Sequence, residues 1–248
     1  DLKLSTGLKE ILSDDNGRAR AVLTDQGEEI ACQFVGLTAG VSPNIGFLEG
    51  SGIETNRGVL VDPYLETSIK DVFSAGDCAE FRETNGERKS LEQVWYTGRM
   101  MGEALAETIC KKPTKYDPGH WFNSAKFFDI EYQTYGWVWP KPKDNENDFY
   151  WEHESGKICL RIRWNKETDQ LLGVNNFGFR LRHHAFDKWF KDGRTVQYAL
   201  EHLKDANFDP ELFKKHEESI VAQFNAENGT NISVKKKSWQ RILQLVSN

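Results

Sequence analysis

Apolar positions alternate with polar ones at the start of the chain, then change rhythm twice before its end. Residues 2–12 and 18–24 read as short strands joined by Asp14-Asp15-Asn16-Gly17, where Asn16-Gly17 accepts positive φ and marks a tight hairpin. A third strand, Glu29 to Leu37, follows the turn at Gln26-Gly27 and completes an antiparallel meander with one unpaired edge. Phe47-Leu48 begins a helical turn ended by Gly50 and Gly52, and Val59-Leu60-Val61 is a brief strand before the Asp62-Pro63 turn. Val72 to Ala75, apolar on both faces, suits a buried central parallel strand that stops on Gly76-Asp77. Arg82 to Lys89 is polar and reads as a loop. The helical period then takes over from Ser90 to Ile109, with Ser90 and Gln93 spaced as a capping box and Val94, Met101, Leu105 and Ile109 forming one apolar stripe.

Pro113 and Pro118 mark residues 111–119 as a linker into a different region. There the period is two again. A strand carries Tyr132, Tyr135, Trp137 and Trp139 as far as Pro140, a polar loop covers 141–148, and Phe149 to His153, Ile158 to Trp164 and Leu171 to Phe179 follow. Helices are expected at Leu181 to Lys191, Thr195 to Ala206 and Glu211 to Asn225, the last opened by Asp209-Pro210. A Lys235-Lys236-Lys237 run precedes a last amphipathic helix, Trp239 to Val246. The fold class is α/β at the front and α+β behind, an antiparallel sheet followed by helices.

Composition narrows the function classes. A chain of 248 residues with net charge −6 has enough core to fold unaided, and that charge argues against general nucleic-acid affinity. No apolar run approaches the roughly 20 residues of a membrane helix. No secretory signal is visible, so the expected location is cytoplasmic and the expected partners include neither nucleic acid nor membrane. Cys32, Cys78, Cys110 and Cys159 are scattered without a C-x-x-C and read as four reduced thiols. His183 and His184 are adjacent, hence on different sides of a helix, and no metal site is expected. There is also no initiator Met and no G-x-G-x-x-G after a strand.

Candidate chemistry gathers at Gly76-Asp77. Gly76 lets a ligand approach the backbone, and Asp77 is an acceptor for a sugar or polyol hydroxyl. Thr67-Ser68-Ile69-Lys70-Asp71-Val72-Phe73-Ser74-Ala75-Gly76-Asp77 resembles the second flavin-contacting motif of FAD-dependent pyridine-nucleotide oxidoreductases, with Ser74 where Ala is usual. Leu37 to Asn44 resembles that family's A-x-G-x-x-P-N segment, and Gly98-Arg99-Met100-Met101-Gly102-Glu103 is similar to the G-R-x-x-G-E helix of the apoptosis-inducing factor, ferredoxin reductase and rubredoxin reductase group, to which nitrite reductase large subunits are related. The resemblance covers about residues 1 to 135.

The resemblance implies that Asp77 bonds the ribityl chain of FAD beside Gly76, and that a helix amino end faces the flavin pyrimidine edge. A Glu usually stands nine residues before the first Gly of that helix, whereas Glu92 stands six before Gly98, so the expectation rests on the backbone amides around Leu91, Glu92 and Gln93. An aromatic beside the flavin is expected from Phe127 or Phe128, in Asn123 to Ile130, although both also read as core residues. No catalytic residue is identified. The layout implied is 1–45 as the tail of an NAD(P)-binding domain, 46–113 as the end of an FAD-binding α/β domain lacking its dinucleotide-binding βαβ unit, and 114–248 as an α+β interface domain.

The chain then reads as the carboxyl-terminal half of an enzyme moving hydride from NAD(P)H to FAD and electrons to an acceptor. Its partners would be the missing amino-terminal half, a second copy, an electron-transfer protein or a small-molecule acceptor, and both FAD and NAD(P)H would be absent from the fragment. An interface module without activity of its own is the alternative, motivated by the aromatic stretch Tyr132 to Trp139. Carbohydrate binding through exposed faces of Trp137, Trp139, Trp151 and Trp164 is a third reading.

Overall fold

The computed structural model describes residues 1–84, 86–208 and 215–235. The expected Trp239 helix and most of the Lys235 to Lys237 run lie outside them, as do 211–214 of the third expected helix. The chain divides into two compact units, Asp1–Asn44 and the remainder from Ile45.

The first unit is the expected meander: β1 (Leu8–Ser13), β2 (Ala19–Thr24) and β3 (Glu29–Ala31), antiparallel in that order. The strands are shorter than the pattern suggests. Only Gly17 of the first turn has positive φ, at +75°, while Asp14 Oδ1 accepts from the Asn16 and Arg18 amides. The Asp side chain closes this turn, so Asn16 keeps negative φ.

The second unit contains two hydrophobic cores. The smaller surrounds a parallel pair, β4 (Val59–Val61) and β5 (Ala79–Phe81), with helix α1 (Trp95–Ile109). Val61, Leu65, Ala79 and Met101 are buried there, with Leu105 and Tyr116 packed against them. Ile109, expected on the same stripe, is exposed at the helix end.

Two expectations fail in this region. Val72 to Ala75 is not a strand and is only half-buried or exposed. Its backbone folds back on Leu65 to Thr67, with Thr67 N–Val72 O at 2.8 Å and Ser74 N–Leu65 O at 3.0 Å. Leu65 and Asp71 take positive φ, +68° and +65°, which breaks the ladder and leaves a single Glu66–Phe73 bridge. Gly76-Asp77 therefore precedes β5 and does not end a strand. The long helix also starts late. Ser90 Oγ bonds Arg57 and Glu80, so it caps nothing, and Ser90-Leu91 runs extended beside β5.

The larger core lies under a five-stranded antiparallel sheet ordered β6 (Phe122–Phe127), β7 (Ile130–Gly136), β10 (Leu171–Phe177), β9 (Cys159–Asn165), β8 (Glu146–Glu152). Phe122, Tyr135, Val174, Ile162 and Phe149 align across its inner face. Helices α2 (His183–Lys191), α3 (Val196–Glu201), α4 (Leu203–Ala206) and α5 (Glu217–Asn228) cover that face with Phe186, Leu200, Leu203, Ile220 and Phe224. Thr195 caps α3 through the Tyr198 amide, and Gly229, at φ +64°, ends α5. Asn123, Thr134, Asn175, Arg161 and Tyr150 align on the other face.

β7 stops at Gly136 and not at Pro140. Gly136 has φ +64°, and the chain then crosses β10 so closely that a Cβ on Gly173 would lie 2.2 Å from the Trp137 carbonyl oxygen. This crossing turns three tryptophans toward one another. Gly173→Ala should lower stability by about 1–3 kcal/mol through that backbone clash, read as a fall in the thermal midpoint; an unchanged midpoint would refute the crossing.

Candidate functional site

Glu80 organises the smaller core. Its carboxylate, 3% exposed, accepts from the Gly58 amide at 2.9 Å and from Asn56 Nδ2 at 3.1 Å, while Ser90 Oγ lies at 3.3 Å. Burial pushes the Glu80 carboxyl up, but the hydrogen bonds from Gly58, Asn56 and Ser90 together outweigh it and hold the group below the ordinary glutamate range. Through Ser90 and the Glu80–Leu91 bridge, this carboxylate sets the path of Leu91 to Val94 into α1.

The Gly-Asp turn packs on the first turn of that helix. Gly76 has φ +83°, and a Cβ on Gly98 would lie 3.4 Å from Gly76 Cα. The Gly76 amide points to Met101 Sδ at 3.3 Å. Gly98 thus sits in contact with the turn, whereas Gly102 faces open space. Where a Cβ of Gly76 would lie there is nothing within 4 Å, and Asp77 is exposed. The turn is an open cradle with one acceptor carboxylate beside it. The α1 amino end has no side-chain cap, so its first amides stay available to an acceptor.

Leu91, Glu92 and Gln93 do not form the amino end of the helix as expected; they are the extended segment before it. They line a cavity of about 560 Å³ whose opposite wall carries Trp121, Trp137 and Trp139. These rings stack in series, Trp121–Trp137 at 5.3 Å and Trp137–Trp139 at 5.2 Å, with interplanar angles of 10° and 2°. Arg88 lies over the Trp121 end at 5.4 Å and Lys143 over the Trp139 end at 6.0 Å. Arg88 also grips Glu92 through two contacts, 3.2 and 2.9 Å, and donates to the carbonyls of Pro118 and Gly119. Lys143 pairs with Glu87. Behind the stack, buried Arg163 donates to the Trp139 carbonyl at 3.0 Å and is ion-paired with Asp148 at 2.7 Å.

The expected site residues are therefore divided. Leu91, Glu92 and Gln93 share the cavity; Gly76 and Asp77 lie on the α1 turn outside its lining; Phe127 and Phe128 do neither. Phe127 is 61% exposed and Phe128 97% exposed, at the β6–β7 tip. Neither is a core residue, because the hairpin turns there, with Phe128 at φ +52°. The sugar reading also fails: Trp151 and Trp164 are 4% exposed in the core, and both faces of Trp137 are covered by its neighbours. Trp121, Thr134 and Asn175 were missed as cavity residues. The Gly136-Trp137 pair carried the available signal, since a Gly inside an alternating run marks a bend. Among the described residues, no three His, Cys, Asp or Glu side chains are grouped to hold a metal, and no helix is long and apolar enough to cross a membrane.

Comparison with known proteins shows what the chain is similar to. Residues 1–102 match the model described as pyridine nucleotide-disulphide oxidoreductase. Over those residues the chain is similar to the pyridine nucleotide-disulphide oxidoreductases. A ferredoxin reductase subunit of the 5,5'-dehydrodivanillate O-demethylase of Sphingobium sp. is 34% identical over 138 residues, 55% of this chain and 33% of that protein. Rhodocoxin reductase of Rhodococcus erythropolis is 39% identical over 51% of the chain and 29% of its own length. The assimilatory nitrate reductase electron transfer subunit of Bacillus subtilis is 34% identical over 76% of the chain and 23% of its own length. The chain thus spans a third or less of these relatives. In fold, a NAD-dependent persulfide reductase from A. fulgidus superposes with a TM-score of 0.67 at 18% identity, covering 94% of this chain and 47% of that one. The mixed α/β architecture with antiparallel sheets is the fold of these oxidoreductases.

The Glu80 interactions give a signed pH dependence. Because its folded-state pKa is lowered, Glu80 contributes stability that is complete above the unfolded value of about 4.3 and is lost as pH falls through the folded value. Denaturant midpoints measured from pH 6 down to pH 3 should fall, and Glu80→Gln should flatten that fall. Identical slopes in the two proteins would refute this account.

Proposed function

We propose that this chain is the carboxyl-terminal half of an NAD(P)H-dependent flavoprotein reductase that passes electrons to a separate acceptor. The observation that carries the reading is the Gly76-Asp77 turn seated on Gly98 of α1, open on its outer side. Asp77 accepts from the ribityl hydroxyls of FAD, and Gly76 keeps the approach clear. The backbone of Leu91 to Gln93 and the uncapped α1 amino end face the pyrimidine edge, where donors and a helix dipole favour negative charge. Bound FAD would supply the hydride and electron chemistry; the chain's part is to hold and orient it. Residues 1–45 then continue an NAD(P)-binding domain, 46–113 an FAD-binding domain, and 114–248 an interface domain, with the phosphate-binding glycine turns in a preceding segment. Relatives named as ferredoxin and rubredoxin reductases support an electron-transfer protein as acceptor, and a cytoplasmic location suits it.

The test is expression of the full upstream reading frame with this chain. A yellow protein bleached by NADH is expected, and Asp77→Ala should weaken FAD retention about tenfold, the loss of one hydrogen bond to a charged acceptor. A colourless, folded full-length protein would overturn the reading.

A second reading, an interface module, is favoured by the β6–β7 tip, where Phe127, Phe128 and Ile130 all stand in solvent. Such a tip suits pairing with a second copy or docking of an electron-transfer protein. Sedimentation of the chain should show a dimer that Phe127→Ser with Phe128→Ser converts to monomer. A monomer at all concentrations would remove the dimer form of this reading.

A further inference from the structure

Gly76 takes φ +83°, and with no Cβ its two flanking peptide planes could readily turn over. Both are pinned. The Gly76 N–H donates to Met101 Sδ at 3.3 Å, and the Gly76 carbonyl accepts from the Ala79 amide at 3.0 Å. Met101 is 1% exposed and packs with Val61, Leu65 and Ala79 in the smaller core. Its sulfur is therefore a fixed acceptor, 25 residues along the chain from the turn it holds. Gly98 and Met101 stand three apart, on one face of α1. Both meet Gly76, the first where a Cβ would lie 3.4 Å from Gly76 Cα and the second through its sulfur. On the opposite side of the turn Asp77 is exposed, and nothing lies within 4 Å of where a Gly76 Cβ would be. The inner side is anchored and the outer side is open.

Resting on the flavin reading, we infer that Met101 is a positioning residue: its sulfur fixes the Ala75–Gly76 peptide plane, and through it the direction in which Asp77 presents its carboxylate to the ribityl hydroxyls. Met101 acts from inside the core, through Gly76. A thioether is polarisable and accepts a hydrogen bond, whereas leucine fills a similar volume and accepts none. Without the sulfur the inward Gly76 N–H loses its partner, which is costly for a backbone amide. The plane then turns over, since glycine adopts either sense. Asp77 keeps its charge and exposure but loses its fixed orientation. Met101→Leu conserves volume and removes only the acceptor, which separates positioning from packing.

The experiment has two arms, the first on this chain without cofactor. Met100 and Met101 are its two methionines, so Met100→Leu grown with selenium-77 selenomethionine carries one selenium, at position 101. A scalar coupling between that selenium and the Gly76 amide proton is expected. In Met101→Leu the Gly76 amide should exchange with solvent about fivefold faster relative to the Val61 amide of the same core, the loss of one hydrogen bond. A missing coupling or an unchanged relative exchange overturns the inference. The second arm uses this chain expressed with its full upstream reading frame. There Met101→Leu should retain FAD about fivefold less tightly, and the selenomethionine protein should retain it as the wild type does. In an Asp77→Ala background the same substitution should cost nothing further, because Met101 acts through Asp77. Additive losses overturn the inference. FAD held equally by Met101→Leu and the wild type also sinks it and leaves the flavin reading standing, whereas FAD held by neither sinks that reading itself.

Discussion

The Glu80 carboxylate is the interaction on which the candidate site rests. A buried carboxylate is costly unless its lone pairs are filled, and here the Gly58 amide, Asn56 and Ser90 fill them from two separate stretches of chain. That satisfaction forces Ser90-Leu91 to lie extended along β5 and delays the helix to Trp95. The delay has a structural consequence. Leu91 to Val94 becomes a cavity wall, and Gly98 meets Gly76 across the first helical turn.

A second constraint joins the two hydrophobic cores of the larger unit. The parallel pair with α1 has few buried apolar side chains, against the much larger set under the five-stranded sheet. What couples them is largely polar and aromatic: Arg88 reaches Glu92, the linker carbonyls and the Trp121 face, while Tyr96 meets Ser124 through its hydroxyl at 3.0 Å and Phe122 through its ring. Arg88 and Glu92 are 11% and 9% exposed, a desolvated pair whose loss would leave a buried charge unpaired. The geometry of the cavity thus follows from a few oriented contacts and less from hydrophobic area.

The similarity to pyridine nucleotide-disulphide oxidoreductases over residues 1–102 spans the Gly-Asp turn and the start of the glycine-bearing helix, and the likeness in fold to a solved persulfide reductase extends over the antiparallel sheet with its helices. Among the described residues the parallel sheet has two strands. Parallel strands are ordinarily buried on both faces, and this pair is mostly buried, with Val59, Val61, Ala79 and Glu80 inside.

Local chemistry was legible where neighbours in sequence decide the conformation. The meander and the alternation of β8 to β10 both follow from short-range pattern and side-chain size. The Val72 strand, the Ser90 helix start and the burial of Phe127 and Phe128 misled, because each depended on which distant partner takes the hydrogen bond or the apolar surface. Ser90 is an excellent cap by itself, yet Glu80 and Arg57 claim its hydroxyl. Trp137 and Trp139 alternate like strand residues, yet Gly136 and Gly173 lift their backbone off the ladder into a stack with Trp121. Residue order alone determined the meander, the alternating strands and the motif-like resemblance of the Gly-Asp turn; tertiary packing decided where the long helix starts and how the cavity forms, since its walls come from segments far apart in the chain whose contacts no local period encodes.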